Sequence, residues 1–251
     1  MCLDQLKEQP NVVHLISAEY TGPTHFTRFW LQTIGEWEKE TGLHPMVALS
    51  CTKDACDSLM ADPSLRAIVD IVDIRYWHYN TDGLWAPTAG RNMAPRQWMR
   101  KMKVGKTGFD EVYRAVRECR DRYPDKAVTY FAQQHPEYGW AVLFAGGSLP
   151  NIPIDTNEGS TLQQKLLSDV CCMAPTEAKG CLVLSDSAKG CLVYTRGGDV
   201  KVSVTPGRYD IHTIDAKSGN ISTLSKGKKA MQDYFQEKAP AGIIIWIERK
   251  P

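Results

Sequence analysis

The stretch Asn11-Val-Val-His-Leu-Ile-Ser-Ala-Glu-Tyr20 constrains this chain most. Residues 12–18 are nearly all apolar and alternate poorly, the pattern of a parallel strand buried on both faces. The strand runs straight into a carboxylate and an aromatic, then into the break Thr21-Gly22-Pro23-Thr24. Beyond it Phe26, Phe29, Trp30, Ile34 and Trp37 recur at helical spacing and predict one helix face against a core. Thr24 is the expected N-cap and Gly42 the expected stop. A parallel strand reaches its neighbour only through a crossover, so this strand–helix pair points to an α/β fold.

The alternation continues. Pro45–Ser50 reads as a strand, 53–61 as a short helix, and 67–79 as a long strand with its exit loop. Residues 80–106, rich in Gly, Pro, Arg and Lys, form a loop long enough to be a functional excursion. A helix is expected over 107–122 and a strand over Ala127–Phe131. Gly139–Gly146 is apolar on all sides and reads as a buried helix or a strand, with the Trp140–Phe144 spacing favouring helix. Ser148–Pro153 is a candidate last, short strand, and 158–173 a closing helix. After Pro175 the chain turns to short β runs at 181–185, 191–195, 200–204, 209–214, 221–224 and 243–248. Turn signals at regular short intervals mark an antiparallel sandwich. Lys179-Gly-Cys-Leu-Val-Leu and Lys189-Gly-Cys-Leu-Val-Tyr repeat, which implies a duplicated strand or hairpin. The expected fold class is therefore α/β: a partial (β/α)8 barrel over residues 1–175, then a small all-β sandwich over 176–251. Because the Glu-tipped strand stands first, the first half of the barrel is expected to be missing. Uncovered sheet edges then predict pairing with a missing N-terminal half-barrel, or self-association.

Composition excludes more than it assigns. A net charge of +1 gives no reason to expect a nucleic-acid partner. No apolar run approaches the roughly 20 residues of a membrane span, and the polar, mildly helical N-terminus is not a signal peptide. The eight cysteines form no Cys-x-x-Cys pair and no Cys/His cluster of zinc spacing, so they read as small buried thiols, with a Cys181–Cys191 bridge as the alternative. No phosphate loop, dinucleotide fingerprint or catalytic triad motif is present, and neither cofactor nor metal is expected.

In a (β/α) barrel, catalytic side chains stand at the C-terminal ends of the strands. Glu19 occupies such a tip and is the candidate general acid, with a structural strand-end glutamate as the alternative. Asp73, near the end of its own strand, is a candidate partner. Asp70, of opposite parity and deeper, reads as a hydrogen-bonded structural residue. Tyr20 and the run Arg75-Tyr76-Trp77-His78-Tyr79 are candidate ligand contacts, aromatic faces for stacking and Arg and His for hydrogen bonds, with ordinary packing as the alternative. Trp85 in the long loop is a candidate clamp. The basic stretch containing Arg91, Arg96, Arg100, Lys101, Lys103 and Lys106 reads as a solvated face, with contact to an acidic ligand as the alternative.

The strand tip Ser17-Ala-Glu-Tyr20, with Gly22-Pro23 and the aromatic helix, resembles the fourth βα unit of clan-A-type glycoside hydrolases. The order of parts resembles the bacterial apiosidase-like barrels, in which a barrel precedes a β-sandwich labelled a collagen-binding domain of a collagenase. The segments Gly190-Cys-Leu-Val-Tyr194, Gly197-Gly-Asp-Val200, Tyr209 and Asp215-Ala-Lys-Ser-Gly219 are similar to that sandwich. The resemblance implies about strands four to eight of the barrel, an acid/base role for Glu19, and an oligosaccharide or polysaccharide partner. It also implies a parent protein acting outside the cytoplasm, periplasmic or secreted. Two departures stand out. Ala18 replaces the usual Asn before the acid. At the seventh-strand tip, where the family places its nucleophile, this chain has Ala132-Gln133-Gln134-His135. Gln133 is left as a candidate contact and Glu137, the nearest carboxylate, as a displaced nucleophile. The expected function is that of a glycoside-hydrolase fragment; the alternative is a non-catalytic carbohydrate-binding or scaffold protein.

Overall fold

The computed structural model describes residues 2–75, 77–80, 83–85, 89–90, 107–130, 136–154, 160–176, 178–230 and 233–250. These residues divide into two compact units. The first comprises Met1–Phe131 with Gly147–Pro150, the second Ala132–Gly146 with Asn151–Pro251.

The first unit opens with a short helix, α1 (Cys2–Leu6), then β1 (Val13–Tyr20), α2 (Thr24–Thr41), β2 (Met46–Cys51), α3 (Lys53–Met60), α4 (Pro63–Arg66) and β3 (Ile71–Asp73). A small antiparallel pair follows, β4 (His78–Asn80) with β5 (Gly83–Trp85), then α5 (Phe109–Arg122) and β6 (Ala127–Thr129). Strands β1, β2, β3 and β6 pair side by side in that order, all parallel, and Ser148 adds a parallel bridge to Thr129. The helices bury one face of this sheet: Leu31, Ile34 and Trp37 of α2, Ala55 and Leu59 of α3, and Val112 and Val116 of α5 lie in the core.

Three expectations are corrected here. The long strand over 67–79 is cut short at both ends. Asp62 caps α4, accepting from the Ser64 N–H at 3.1 Å, with Pro63 set for the first helical turn, so the chain is still helical at Arg66. After Asp73 the chain turns, the Trp77 N–H donating to the Ile74 carbonyl at 2.9 Å. Second, α2 is capped by Pro23, whose side chain makes no capping bond, and Thr24 is already helical; Gly42 does end the helix, at φ 70°. Third, the buried stripe of α2 is Thr27, Leu31, Ile34 and Trp37, whereas Phe26, Phe29 and Trp30 remain exposed. Asp70 takes its structural role: its carboxylate accepts from the Val47 N–H at 2.8 Å and meets His44 Nε2 at 3.1 Å.

The second unit contains α6 (Pro136–Phe144), α7 (Thr161–Val170) and eight strands: β7 (Ala174–Thr176), β8 (Cys181–Asp186), β9 (Gly190–Thr195), β10 (Gly198–Ser203), β11 (Gly207–Asp215), β12 (Ile221–Ala230), β13 (Asp233–Ala239) and β14 (Ile243–Arg249). Six of them form one antiparallel sheet in the order β12-β11-β14-β9-β8-β7, and β10 pairs with β13 in a two-stranded ribbon. One face of the large sheet shares a core with the ribbon, through Val183, Val193, Tyr209, Ile245 and Ile247 against Val200, Val202 and Tyr234. The Tyr209 hydroxyl donates to the Thr205 carbonyl at 2.5 Å and pins the entry to β11, as in the tyrosine corners of β-sandwiches. The repeated Lys-Gly-Cys-Leu-Val segments are the hairpin β8–β9. Cys181 faces Thr195 and Cys191 faces Ser185 in that register, and all eight cysteines are free, so the bridge between them is excluded. β13 was not anticipated because Asp233-Tyr-Phe-Gln-Glu-Lys-Ala is too polar to read as a strand.

Candidate functional site

The side of the parallel sheet opposite the helices is an open trough with a volume of about 270 Å³. Its floor carries Leu15, Ala48 and Ile71, and the strand ends supply Asp73, Arg75, Thr129 and Tyr130. This follows from period-two alternation. Val47, Leu49, Val72 and Val128 turn towards the helices and are buried, so the residues next to them along each strand, Ala48, Ile71, Asp73 and Thr129, face the trough.

Asp73 is 2% exposed. Arg75 donates to it through Nε at 2.6 Å, and the Thr129 hydroxyl donates at 3.2 Å from the strand paired with it in register. The aspartate is thus fixed by a charge-assisted hydrogen bond within its own turn and by a second bond across strands.

Glu19 stands at the end of β1 in a local arch. The β1–β2 register runs to Ile16↔Leu49 and resumes at Tyr20↔Cys51, so β1 carries extra residues over this step. Ser17 and Glu19 both take positive φ, 55° and 54°, and the Glu19 N–H donates to Ser50 Oγ at 3.0 Å. Bulges that re-aim a side chain, and non-glycine residues held at positive φ, concentrate at functional sites. Ser50, buried and polar at the end of an apolar strand, was not singled out in the sequence; a hydroxyl closing the run Met-Val-Ala-Leu was the available signal.

The other candidates are distributed as follows. Tyr20 is half-buried, its ring stacked on Phe26 at 5.0 Å, and burial raises its phenol pKa. Trp77 is 2% exposed and its indole N–H donates to the Cys51 carbonyl at 3.0 Å; it packs within the first unit and offers no open face for stacking. His78 and Tyr79 lie on β4 and Trp85 on β5, with His78 opposite Trp85 in register; their side chains are outside the described residues. Gln133, His135 and the basic stretch from Arg91 to Lys106 are also outside them. Glu137 belongs to α6, in the second unit, and its side chain is outside the described residues.

The second unit holds a buried charge network with no sequence-level signal. Glu248 meets His212 Nε2 at 3.0 Å and the ammonium groups of Lys165 and Lys250, both at 3.3 Å. Asp169 binds Lys165 and Lys189 at 3.0 and 3.1 Å. Asp210, His212 and Glu248 bring three ligand-type atoms within 4.8 Å of one another. The Lys250 ammonium, 3.2 Å from Asp210, already supplies the positive charge there, so the arrangement is an ion-pair network. No described helix is long and apolar enough to cross a membrane.

No curated protein matches this sequence. Among solved structures the chain is similar to a glycoside hydrolase, with a TM-score of 0.54 and 10% identity over 99% of this chain and 66% of that one. It is also similar to a glycoside hydrolase family 5 protein from Bacteroides vulgatus, with a TM-score of 0.57 and 12% identity over 99% of this chain and 64% of that one. The chain thus spans less than two thirds of these relatives' own length, and shares a glycoside-hydrolase-like fold with them. A family model described as a domain of unknown function, DUF6298, matches residues 1–172, and the chain belongs to that family.

Proposed function

We propose that the chain is part of a carbohydrate-active protein, a glycoside hydrolase acting on plant or other complex polysaccharide, in which residues 1–175 are about strands four to eight of a (β/α)8 barrel and residues 176–251 an accessory β-sandwich. The observation that carries this reading is Glu19. A carboxylate stands on a strained arch at the C-terminal tip of a parallel strand, in a fold shared with glycoside hydrolases. In this reading Glu19 is the proton donor to the glycosidic oxygen. Asp73 and Arg75 bind sugar hydroxyls at the trough end, and Asp73 and Glu137 are the two candidates for a second carboxylate. Tyr20, His78, Tyr79, Trp85 and Gln133 are the proposed lining of the ligand cleft. Two-carboxylate hydrolysis requires a separation of about 5–5.5 Å for retention or about 6.5–9.5 Å for inversion. The parent protein is proposed to act outside the cytoplasm, where its polysaccharide is.

A second reading, a carbohydrate-binding protein without catalysis, is favoured by one feature: Gln133-Gln134 stands where a nucleophilic carboxylate is expected. Product analysis on a polysaccharide panel separates the two. The catalytic reading expects reducing ends to be released by the wild type and lost in Glu19→Gln, with binding retained. Binding in both proteins with no product from either would replace it with the second reading.

A further inference from the structure

We infer that the free edge of β10, with the groove beside it, takes up one extended peptide strand of a second protein, its apolar side chains turned to the groove floor and an acidic residue set opposite Lys179. The inference concerns the second unit alone and does not rest on the proposed carbohydrate activity.

The groove follows from an unequal sandwich. Six strands form the large sheet, and only β10 and β13 cover it. On one side Lys228 of β12 reaches over the Tyr234 ring of β13 at 5.1 Å. On the other, the end of β10 at Ser203 lies beside the β8–β9 hairpin at Ser185 and Cys191. The β10 edge therefore looks out over β8 and β7. The space there has a volume of about 870 Å³. Thr176, Ala178, Val183 and Ser185 form its floor, Lys179 stands at its rim, and β10 is its wall.

The polar side chains of this groove answer one another. The Ser185 hydroxyl donates to Thr176 Oγ1 at 3.3 Å, and the Ser203 hydroxyl donates to Asp233 at 3.3 Å. Lys201 pairs with Asp233 at 3.0 Å, and Asp199 accepts from the Lys238 N–H at 3.1 Å. Among the described residues no aromatic ring lines the groove, so a sugar finds no stacking platform. Two kinds of group are left over among those residues. One is the row of main-chain donors and acceptors on the outer edge of β10, which pairs only with β13. The other is the Lys179 ammonium, which makes no ion pair. An added strand satisfies the first, and a carboxylate on it the second. The six residues of β10 offer about 20 Å of edge.

The two outer edges of the large sheet are guarded against such pairing, and the β10 edge is not. β7 is three residues long with Pro175 at its centre. β12 carries Lys226, Lys228 and Lys229, and its register with β11 breaks around Gly227, at φ 63°. β10 has no proline and keeps unbroken register with β13 from Val200 to Ser203, and its one lysine is held by Asp233. A second copy cannot use this edge. Antiparallel pairing keeps the faces of both copies on one side, so the large sheet of the copy would enter the space of β7 and β8. A lone strand brings nothing beneath it to collide.

Selection of a phage-displayed random heptapeptide library on the 251-residue chain tests this. The enriched peptides are synthesised and their binding is read by fluorescence anisotropy and amide hydrogen exchange. Enriched sequences should alternate apolar and polar residues and carry Asp or Glu. Bound peptide should slow exchange in residues 199–203 and leave the edge strand 221–230 unchanged. Thr176→Trp and Ser185→Trp place a ring in the groove from positions that are not buried, so both should melt like the wild type and bind at least about tenfold more weakly. Lys179→Glu should weaken acidic peptides severalfold. The exchange map locates the peptide whether or not a variant folds. No enrichment, equal binding to the wild type and both Trp variants, or protection of 221–230 in place of 199–203 overturns the inference. A polysaccharide that binds the wild type and not the Trp variants, with no peptide bound, would assign the groove to a sugar and also overturn it.

Discussion

If the arch at Glu19 exists for function, replacing the strained glutamate by glycine should stabilise the protein and silence it together. Ser17 and Glu19 are held at φ 55° and 54°, a region that costs an L-residue roughly 1–2 kcal/mol and glycine almost nothing. Glycine loses more backbone freedom on folding, which returns about 0.5–1 kcal/mol. The net expectation for Glu19→Gly is a gain of about 0.5–1 kcal/mol, since its side chain is only half-buried. Ser17→Gly should gain about as much, and Glu19→Gln, which keeps the Cβ, should gain nothing. The two glycine variants then differ where it matters. Ser17→Gly retains the carboxylate and with it activity, whereas Glu19→Gly loses activity while gaining stability, the signature of strain held at a working residue. Urea unfolding followed by tryptophan fluorescence, paired with product analysis, measures both. A loss of stability in both glycine variants would refute the strain argument. A stabilised Glu19→Gly with full activity would refute the role of the carboxylate.

Other consequences are equally direct. Glu248→Ala strands His212 and two lysines beside a buried site and should cost about 3–5 kcal/mol, whereas breaking the exposed Arg66–Asp125 pair should cost less than about 1 kcal/mol; equal urea midpoints would contradict this. The Asp70 hydrogen bond, opposed by burial and joined by Glu38, raises the His44 pKa above 6.5. Its contribution to stability is therefore full below pH 6.5 and lost as pH rises through the folded-state value, and His44→Gln should flatten that part of the stability profile. Gly219→Ala places a Cβ 1.8 Å from the Pro153 carbonyl oxygen at φ 71° and should cost about 4 kcal/mol or more, visible as loss of a cooperative melt. With a thiol reagent, exposed Cys2, Cys171 and Cys172 should react quickly; buried Cys51, Cys56, Cys119, Cys181 and Cys191 should wait for unfolding, burial having pushed the Cys119 and Cys191 thiols up to about 12.

Much of the framework was legible because it rests on local rules. The apolar run of β1, the glycine stop after α2 and the repeated hairpin β8–β9 each announce themselves in a few consecutive residues. What escaped depends on partners far along the chain. The short β3 owes its start to the Asp62 cap on α4, and β13 is a polar segment that becomes a strand only by pairing with β10. Aromatic spacing on α2 was read as a core stripe, yet Thr27 is buried where Phe29 is not; periodicity reports that a helix has an apolar face, not which neighbour covers it. At the site, Glu19 was visible as a carboxylate ending an apolar strand. The arch beneath it was not, because it depends on Ser50 from the next strand. Asp73 was visible by parity, but its tie to Thr129 joins residues on two separate strands.

The threading of the chain between its two units has a consequence for synthesis and for cleavage. The first unit needs Gly147–Pro150 to complete its sheet, but α6, which belongs to the second, is made before them. On the ribosome the first unit therefore cannot finish until a piece of the second has emerged, and the second cannot finish until the last strand is released. No single cleavage point yields both compact units whole: a cut after Phe131 deprives the first of the Ser148 bridge to Thr129, and a cut after Pro150 leaves α6 on the wrong fragment.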